Sequence, residues 1–309
     1  MPRIAEGHRD EQGRWHAANP DDYPPLDVHG TLPWSVLRQD SKTWQTRKKW
    51  WHDQGVDDTS PRAHAAGMMN TGRHGNISGG VSRFDPHLAE VLYTWYCPPG
   101  GTVLDPCAGG PVRGLVAAHL GLRYTGIDLS AAQVNANRAR ELEWQRDGRS
   151  HGGVLWIEGD AREELHSLGT AHDYVLMCPP YHNRERYSDD PRDLSAMPWP
   201  AFCDALHQII AAAMDCLRPD RFATIVISDV RDHRGHLRRL PDVAAGGFEA
   251  AGARLVNEQI LLAPLGLAAK RMRGPWEAAR TTTRIHQLVL TFVKGDRRAA
   301  TRAVREAAC

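Results

Sequence analysis

From residue 84 onward, the sequence alternates between short apolar runs and longer segments whose apolar residues have helical spacing. Each apolar run is bounded by glycine, proline or a charged residue, which indicates a buried strand. Alternation of strands and helices is typical of a parallel sheet with helices on both faces. We therefore predict a Rossmann-like, doubly wound α/β fold with a mostly parallel sheet of seven strands, at residues 102–105, 123–129, 154–161, 172–178, 222–229, 253–263 and 285–294.

The first 80 residues differ in composition from the rest of the chain. They are rich in Pro, Gly, His, Arg and Trp, with one helical segment at 41–55 and a loop-like, Gly- and His-rich segment at 64–80. The sequence thus predicts a partly irregular, partly helical N-terminal arm or cap over residues 1–80. It further predicts one α/β domain over residues 81–296 and a basic C-terminal tail over residues 297–309.

Composition excludes several classes of protein. No apolar stretch approaches the roughly 18 residues that a membrane helix needs, and the N-terminal segment lacks the apolar core of a signal peptide, so we expect no membrane partner and a cytoplasmic location. The six cysteines lack CxxC and CxxxC spacing and the histidines are scattered, which predicts reduced thiols and no metal. A formal net charge of +1 leaves any nucleic-acid binding to local clusters of charge.

Carboxylates and special turns stand where four successive strands are predicted to end. Asp105 ends the first strand and precedes the small-residue turn PCAGGPVRG, Asp128 ends the second, and Asp160 follows the third. The fourth strand runs into Cys-Pro-Pro-Tyr at 178–181, where two prolines stop the ladder because they have no N–H to donate. Open α/β sheets bind ligands outside the carboxyl ends of their strands, so these residues predict one pocket.

The same residues favour one cofactor over another. Asp128 stands about 20 residues beyond the first strand end, the spacing at which an acidic side chain accepts hydrogen bonds from ribose hydroxyls. A dinucleotide needs a GxGxxG turn for its pyrophosphate, whereas this turn places Pro111 within that fingerprint. S-adenosylmethionine has no phosphate and carries amino acid, ribose and adenine groups that suit three carboxylates. The sequence therefore predicts S-adenosylmethionine as the cofactor.

The stretch SRFDPHLAEVLYTWYCPPGGTVLDPCAGGPVRG, followed by YTGIDLS, GDA and CPPY, resembles the amino-group DNA methyltransferases, particularly those of bacteriophages. The resemblance covers residues 82–294 and implies a class I methyltransferase domain acting in the cytoplasm of a bacterial or phage-infected cell. It implies that Asp128 binds the ribose and that Asp160 lies near the adenine. The other cofactor-binding residues that it implies are Phe84, Asp85, Asp105, Cys107, Ala108, Gly109, Gly110, Leu129 and Ala161.

The resemblance also assigns the chemistry of the proline turn. In the family, Asp, Asn or Ser precedes Pro-Pro and an aromatic residue, and this side chain and the first proline carbonyl accept the two hydrogens of the target amine. The catalytic residues implied here are Cys178, Pro179, Pro180 and Tyr181, with Tyr181 stacking on a flipped base. Cys178 departs from the family motif, since a neutral thiol is a weak acceptor, although its size is close to that of serine.

Three functions remain open. The leading one is site-specific DNA methylation at adenine N6 or cytosine N4, as in restriction-modification. The second keeps the fold and cofactor but methylates guanine N2 in RNA. The third is a protein that binds S-adenosylmethionine and DNA without catalysis, because Cys178 replaces the usual acceptor. Cytosine-C5 methylation is disfavoured, since those enzymes have a Pro-Cys order.

Three segments carry clustered positive charge: residues 47–51, 231–239 and 270–280. The second and third are expected to flank the cofactor edge and to neutralise phosphates. The segment YSDDPRDLS, after the proline turn, is expected either to close over the flipped base or to cap the next helix through Ser188 or Asp190. The residues predicted to contact DNA are Arg231, Arg234, Arg238, Arg239, Lys270, Arg271 and Arg273.

Overall fold

The computed structural model describes residues 7–9, 15–17, 27–56, 83–182, 186–266 and 272–306. A short antiparallel pair comes first, made of β1 (Gly7–Arg9) and β2 (Trp15–Ala17). The main sheet contains β3 (Val36–Arg38), β4 (Thr102–Asp105), β5 (Arg123–Asp128), β6 (Val154–Glu158), β7 (His172–Met177), β8 (Leu217–Ile227), β9 (Ala253–Leu262) and β10 (His286–Lys294). These strands lie in the order β3-β9-β10-β8-β7-β4-β5-β6.

The main sheet is mixed but mostly parallel. Within it, β10 runs antiparallel to both of its neighbours, β8 and β9, and the other pairs are parallel. Chain order reverses at β4, which pairs with β5 on one side and with β7 on the other. Such a reversal is the point at which doubly wound sheets bind ligands. The predicted mostly parallel α/β architecture is confirmed.

The predicted count of seven strands is wrong, because an eighth strand comes from the N-terminal arm. Strand β3 pairs in parallel with β9, with Val36 opposite Ile260 and Arg38 opposite Leu262. Its three residues contain one buried side chain, Leu37, between two exposed ones. Three residues are too few for an alternating pattern to stand out in a sequence. The pairing with β9 therefore depends on the tertiary fold.

The described helices cover both faces of the sheet. Side chains alternate along β7: Tyr174 and Leu176 face the cluster that includes α1 to α4 and α9, whereas Val175 and Met177 face the cluster that includes α5 to α7. Strands buried on both faces explain the nearly continuous apolar runs in the sequence. The helices are α1 (Lys42–Asp53), α2 (Pro86–Tyr96), α3 (Val112–His119), α4 (Ala131–Arg146), α5 (Ala161–Glu164), α6 (Trp199–Cys216), α7 (Leu240–Ala250), α8 (Arg273–Ala279) and α9 (Arg297–Glu306).

The described part of the N-terminal arm packs on the α/β sheet and α2. Trp44 and Trp51 of α1 are buried, and their indole N–H groups donate to Asp85, the N-cap of α2, and to Glu90 within α2. At the other terminus, α9 buries Ala300 against the same cluster. The predicted loop at 64–80 lies outside the described residues, and the division into arm, domain and tail stays a prediction. Among the described helices, none has the length and apolar character to span a membrane.

Candidate functional site

A cavity of about 710 Å³ lies at the carboxyl ends of β4, β5, β6 and β7. Its position follows from the topology, since these parallel strands end at one edge of the sheet beside the chain reversal. All predicted catalytic and cofactor-binding residues except Asp105 line it. They are Phe84, Asp85, Cys107, Ala108, Gly109, Gly110, Asp128, Leu129, Asp160, Ala161, Cys178, Pro179, Pro180 and Tyr181.

Asp105 is fully buried and is paired with Arg113, a lining residue that the sequence did not single out. Its carboxylate also accepts hydrogen bonds from the Tyr124 hydroxyl (2.7 Å) and the Cys107 amide (3.1 Å). Arg113 donates in turn to the carbonyl oxygens of Cys107 (2.6 Å) and Ala108 (3.0 Å). Burial works to lower the pKa of Arg113, but the charge and hydrogen bonding of Asp105, together with the nearby Tyr124 and Cys178, outweigh it and the pKa rises above its ordinary value. The pair therefore fixes the backbone of the turn after β4.

The turn after β4 is closed by Asp128. Gly109 adopts a φ of +58°, which favours glycine, and its amide donates to Asp128 Oδ2 at 2.9 Å. The other oxygen of Asp128 accepts from the Ser130 amide at 2.9 Å, and Asn137 Nδ2 donates to the Gly109 carbonyl at 2.8 Å. The Gly109 amide is thus bound to a carboxylate and is not offered to a pyrophosphate. S-adenosylmethionine, which has ribose hydroxyls and no phosphate, fits this turn.

Asp160 provides an acceptor at the end of β6. Its carboxylate caps α5 by accepting from the Arg162 amide (2.9 Å) and also pairs with the Arg162 guanidinium. Burial tends to raise the pKa of Asp160, but the hydrogen bonds from Arg162 outweigh burial and hold the pKa below its usual range. Leu129 and Ala161 line the cavity beside it. A charged acceptor beside apolar side chains suits an adenine ring with an exocyclic amine.

Asp85 joins the cavity to the N-terminal arm. Its Oδ2 accepts a hydrogen bond from Gln39 Nε2 at 3.1 Å and pairs with Lys48 Nζ at 3.1 Å. Gln39 and Lys48 also line the cavity, a contribution of the arm that the sequence did not reveal. The neighbouring Phe84 stacks against the Arg113 guanidinium, 4.6 Å from its ring centroid. The arm and the glycine-rich turn therefore meet at residues 84 and 85.

The Cys-Pro-Pro-Tyr turn begins directly after Met177, the last residue of β7. Cys178 Sγ lies 3.6 Å from the Tyr181 hydroxyl, which accepts a hydrogen bond from Gln287 Nε2 at 3.1 Å. The same hydroxyl lies 3.5 Å from the Val226 carbonyl. Gln287, on β10, was not identified from the sequence, because its link to Tyr181 depends on strand pairing. The turn is thus anchored to the neighbouring strands of the sheet.

Residues after the proline turn form part of the cavity wall. Tyr187, Ser188, Asp190 and Asp193 all line it. Asp193 caps the short 3-10 turn Leu194–Ala196, and Ser188 Oγ donates to Asp193 at 2.8 Å. The capping residue is thus Asp193 rather than Ser188 or Asp190, and Pro198, at the start of α6, makes no side-chain capping bond. Closure of the segment over a flipped base stays a prediction.

The basic segment at 47–51 is mostly half-buried, with Trp51 fully buried and Lys49 exposed. Arg47 makes a bidentate contact with the buried Glu90, and Trp51 is fully buried. Lys48 pairs with Asp85, whereas Lys49 is exposed and pairs with Asp53. These contacts explain the run RKKWW as a helix that attaches the arm.

The other two basic segments are more exposed. Arg238 is half-buried and stacks on the Trp199 ring, 4.7 Å from its centroid. Lys270 and Arg271 lie outside the described residues. The exposed arginines among those predicted to contact DNA are Arg231, Arg234, Arg239 and Arg273.

Within the described ranges, no group of three or more His, Cys, Asp and Glu side chains is arranged to hold a metal ion.

No protein-family model and no curated protein matches the sequence. Among solved structures, the chain is similar to TrmN from Thermus thermophilus (16% identity, TM-score 0.45), covering 68% of this chain and 49% of that one. It is similar to a proposed rRNA-methylase from Clostridium thermocellum (11%, 0.45, covering 70% and 98%). It is also similar to a proposed DNA modification methylase, again from Thermus thermophilus (21%, 0.34, covering 44% and 51%). The chain thus spans about half the length of the first and third of these proteins.

Proposed function

We propose that this chain is an S-adenosylmethionine-dependent methyltransferase that acts on an exocyclic amino group of a DNA base, adenine N6 or cytosine N4. The observation that carries the proposal is the shared cavity, which the acidic strand ends and the Cys-Pro-Pro-Tyr turn line together. A volume of about 710 Å³ lies within the usual range for ligand pockets. Methyl donor and acceptor held in one cavity meet the positional requirement for direct transfer.

The strand ends would bind the cofactor in three parts. Asp128 would accept hydrogen bonds from the ribose hydroxyls, and Asp160 would accept one from the adenine amine. Phe84 and Asp85 would contact the amino acid end, where the arm closes the cavity. S-adenosylmethionine, when bound, supplies a methyl group on a positively charged sulfur. Arg113 contributes by holding the turn rigid, with its own charge balanced by Asp105.

The proline turn would hold the target base. Cys178 Sγ and the Pro179 carbonyl would accept the two amino hydrogens, which localises the nitrogen lone pair for attack. Gln287 holds the Tyr181 hydroxyl and so orients the ring for stacking on the base. The nitrogen lone pair would form the new bond to the methyl carbon as the sulfur–methyl bond breaks, which leaves neutral S-adenosylhomocysteine, and the nitrogen would then lose one proton to water. The reaction therefore needs positioning and electrostatic stabilisation but no covalent intermediate.

DNA as the substrate is supported by charge at the same edge of the molecule. The loop after β8 and the segment before β10 both adjoin the carboxyl ends where the cavity lies. Arginines there can neutralise phosphates and release counterions, which favours binding of a polyanion. The exposed arginines on these segments are Arg231, Arg234, Arg239 and Arg273.

A second candidate function is supported by Cys178 itself. A thiol accepts hydrogen bonds weakly, so the cavity could bind S-adenosylmethionine and DNA without transferring the methyl group. The two functions differ in one measurable property, which is methyl transfer by the unmodified chain.

Purified protein incubated with DNA or RNA and S-adenosylmethionine carrying a labelled methyl group tests both candidates. Nucleoside mass spectrometry should find the label on N6-methyladenine or N4-methylcytosine of DNA. Label only on RNA guanine N2, or on cytosine C5, would contradict the proposed substrate or mechanism. Absence of label with retained binding of S-adenosylhomocysteine, measured by calorimetry, would favour the non-catalytic function.

A further inference from the structure

We propose that Lys48 of the N-terminal arm binds the carboxylate of the cofactor's amino acid group, so that the arm forms one end of the cofactor site. The inference rests on the proposed function and adds a residue from outside the α/β sheet. Lys48 lies on α1, whereas the residues at the strand ends lie more than thirty positions later in the chain. Both groups line the same cavity.

Lys48 and Asp85 carry charges opposite to those of the two ends of an amino acid group, so each can pair with one end. Lys48 Nζ lies 3.1 Å from Asp85 Oδ2, which places a cation and an anion side by side at the cavity wall. The methionine part of the cofactor carries an ammonium and a carboxylate on one carbon. The negative charge of Asp85 would attract that ammonium while Lys48 donates to that carboxylate. Because Lys48 has three donors, it can bind the carboxylate and keep its bond to Asp85.

Contacts connect this pair to the turn that faces the rest of the cofactor. Phe84, which directly precedes Asp85, stacks on the Arg113 guanidinium. Arg113 donates in turn to the carbonyl oxygens of Cys107 and Ala108. The charged pair therefore adjoins the glycine-rich turn through packed side chains. An amino acid group extending from that turn would reach residues 85 and 48.

The environment fixes Asp85 but leaves Lys48 accessible. The Asp85 side chain is 5% exposed and accepts hydrogen bonds from Gln39, Trp44 and the His87 amide. The Lys48 side chain is 34% exposed, so its ammonium can contact a ligand in the cavity. A site that is already ordered loses little conformational entropy on binding. Gln39 and Trp44 also belong to the arm, so the arm orders the site as well as contributing Lys48.

Two ligands that differ in the amino acid group test the assignment. Calorimetry on the full chain compares S-adenosylhomocysteine, which carries that group, with 5′-methylthioadenosine, which lacks it. Lys48→Met should lower affinity for S-adenosylhomocysteine by about tenfold or more and leave affinity for 5′-methylthioadenosine unchanged. Lys49→Met is the matched control, because Lys49 is 72% exposed and pairs only with its helix neighbour Asp53 among the described residues.

The outcomes separate this inference from the proposed function. An equal loss for both ligands would indicate a structural role for Lys48 and overturn the assignment. Unchanged affinity for S-adenosylhomocysteine would also overturn it, while the proposed function would stand because the cofactor product still binds. If the unmodified chain binds neither ligand, the proposed cofactor and this inference both fail.

Discussion

At position 178, a thiol stands where the resembling family has a carboxylate, amide or hydroxyl. Cys178 Sγ lies 3.6 Å from the Tyr181 hydroxyl, and both side chains line the cavity. Since sulfur accepts hydrogen bonds weakly, the Pro179 carbonyl would be the stronger of the two acceptors in the proposed reaction. The side chain at 178 should therefore modulate the rate more than it affects binding of the cofactor.

Substitutions at 178 should separate catalysis from binding. Cys178→Ser should retain or raise kcat for labelled methyl transfer, because a hydroxyl accepts better than a thiol, while Cys178→Ala should lower kcat by about 2- to 10-fold. Affinity for S-adenosylhomocysteine should stay the same in both variants. Cys203→Ser, half-buried on α6 outside the cavity, is the control. Activity that appears only in the serine variant would identify the natural chain as a binder.

The Asp105–Arg113 pair predicts a strong coupling in stability. Arg113→Met leaves the fully buried Asp105 carboxylate without its cation and should lower the free energy of unfolding by about 3–5 kcal/mol. Asp105→Asn together with Arg113→Met removes both charges and should be less destabilising than the sum of the single changes by more than about 1 kcal/mol. Urea unfolding of the four proteins measures this coupling. Additive changes would show that the pair does not organise the turn.

Among the elements, α1 and α2 are joined by the buried carboxylate of Glu90. Glu90 of α2 accepts hydrogen bonds from Trp51 Nε1 (2.9 Å) and His87 Nδ1 (2.9 Å) and makes a bidentate contact with Arg47. Burial works to raise the pKa of Glu90, but the hydrogen bonds from His87, Arg47 and Trp51 outweigh it and lower the pKa to about 2. The attachment of the arm should therefore depend on pH.

The pH dependence follows from the direction of that shift. Because the folded pKa of about 2 lies below the ordinary value of 4.5, Glu90 stabilises the fold fully above pH 4.5 and progressively less as the pH falls toward 2. Glu90→Gln should lower the free energy of unfolding by about 3 kcal/mol at pH 7, and the difference from the unmodified protein should shrink by about 2 kcal/mol by pH 3. Urea unfolding at pH 7, 4 and 3 measures both values.

The exposed Glu143 on α4 offers a matched control for the change at Glu90. Glu143→Gln should leave the free energy of unfolding nearly unchanged at each pH, because an exposed i,i+3 pair contributes little. A constant difference between the Glu90→Gln and unmodified proteins from pH 7 to pH 3 would contradict the depressed pKa of Glu90.

For the molecule as a whole, the features that could be predicted from the sequence are those that depend on local patterns of residues. Alternating strands and helices gave the parallel sheet, and chemistry at the strand ends led to residues that share one cavity. Contacts between distant segments were not predictable in this way. Strand β3 is recognisable only by its pairing with β9, and Lys48 and Gln287 reach the cavity from α1 and β10. Asp105 was predicted to contact the cofactor, but it lies buried behind the cavity wall. Its position in the sequence does not reveal its pairing with Arg113.

Charge at the cavity edge gives the last prediction, which concerns the proposed binding of DNA by the whole molecule. Arg231 and Arg234 are exposed on the loop after β8, next to the carboxyl ends of the parallel strands. Replacing both by Ala should weaken DNA binding and reduce the slope of log K against log salt by up to about 2, since each phosphate contact contributes about 0.9. Fluorescence anisotropy with a duplex at several salt concentrations measures the slope.

Arg302→Ala controls for loss of positive charge alone. Arg302 is exposed on α9, which follows the end of β10 and hence lies toward the edge opposite the cavity, since β10 is antiparallel to β8. Its removal lowers the net charge but deletes no phosphate contact if DNA approaches the cavity edge, so the slope should not change. Equal slopes for the double variant and for Arg302→Ala would place DNA on another face and would separate the basic loop from the cavity in function.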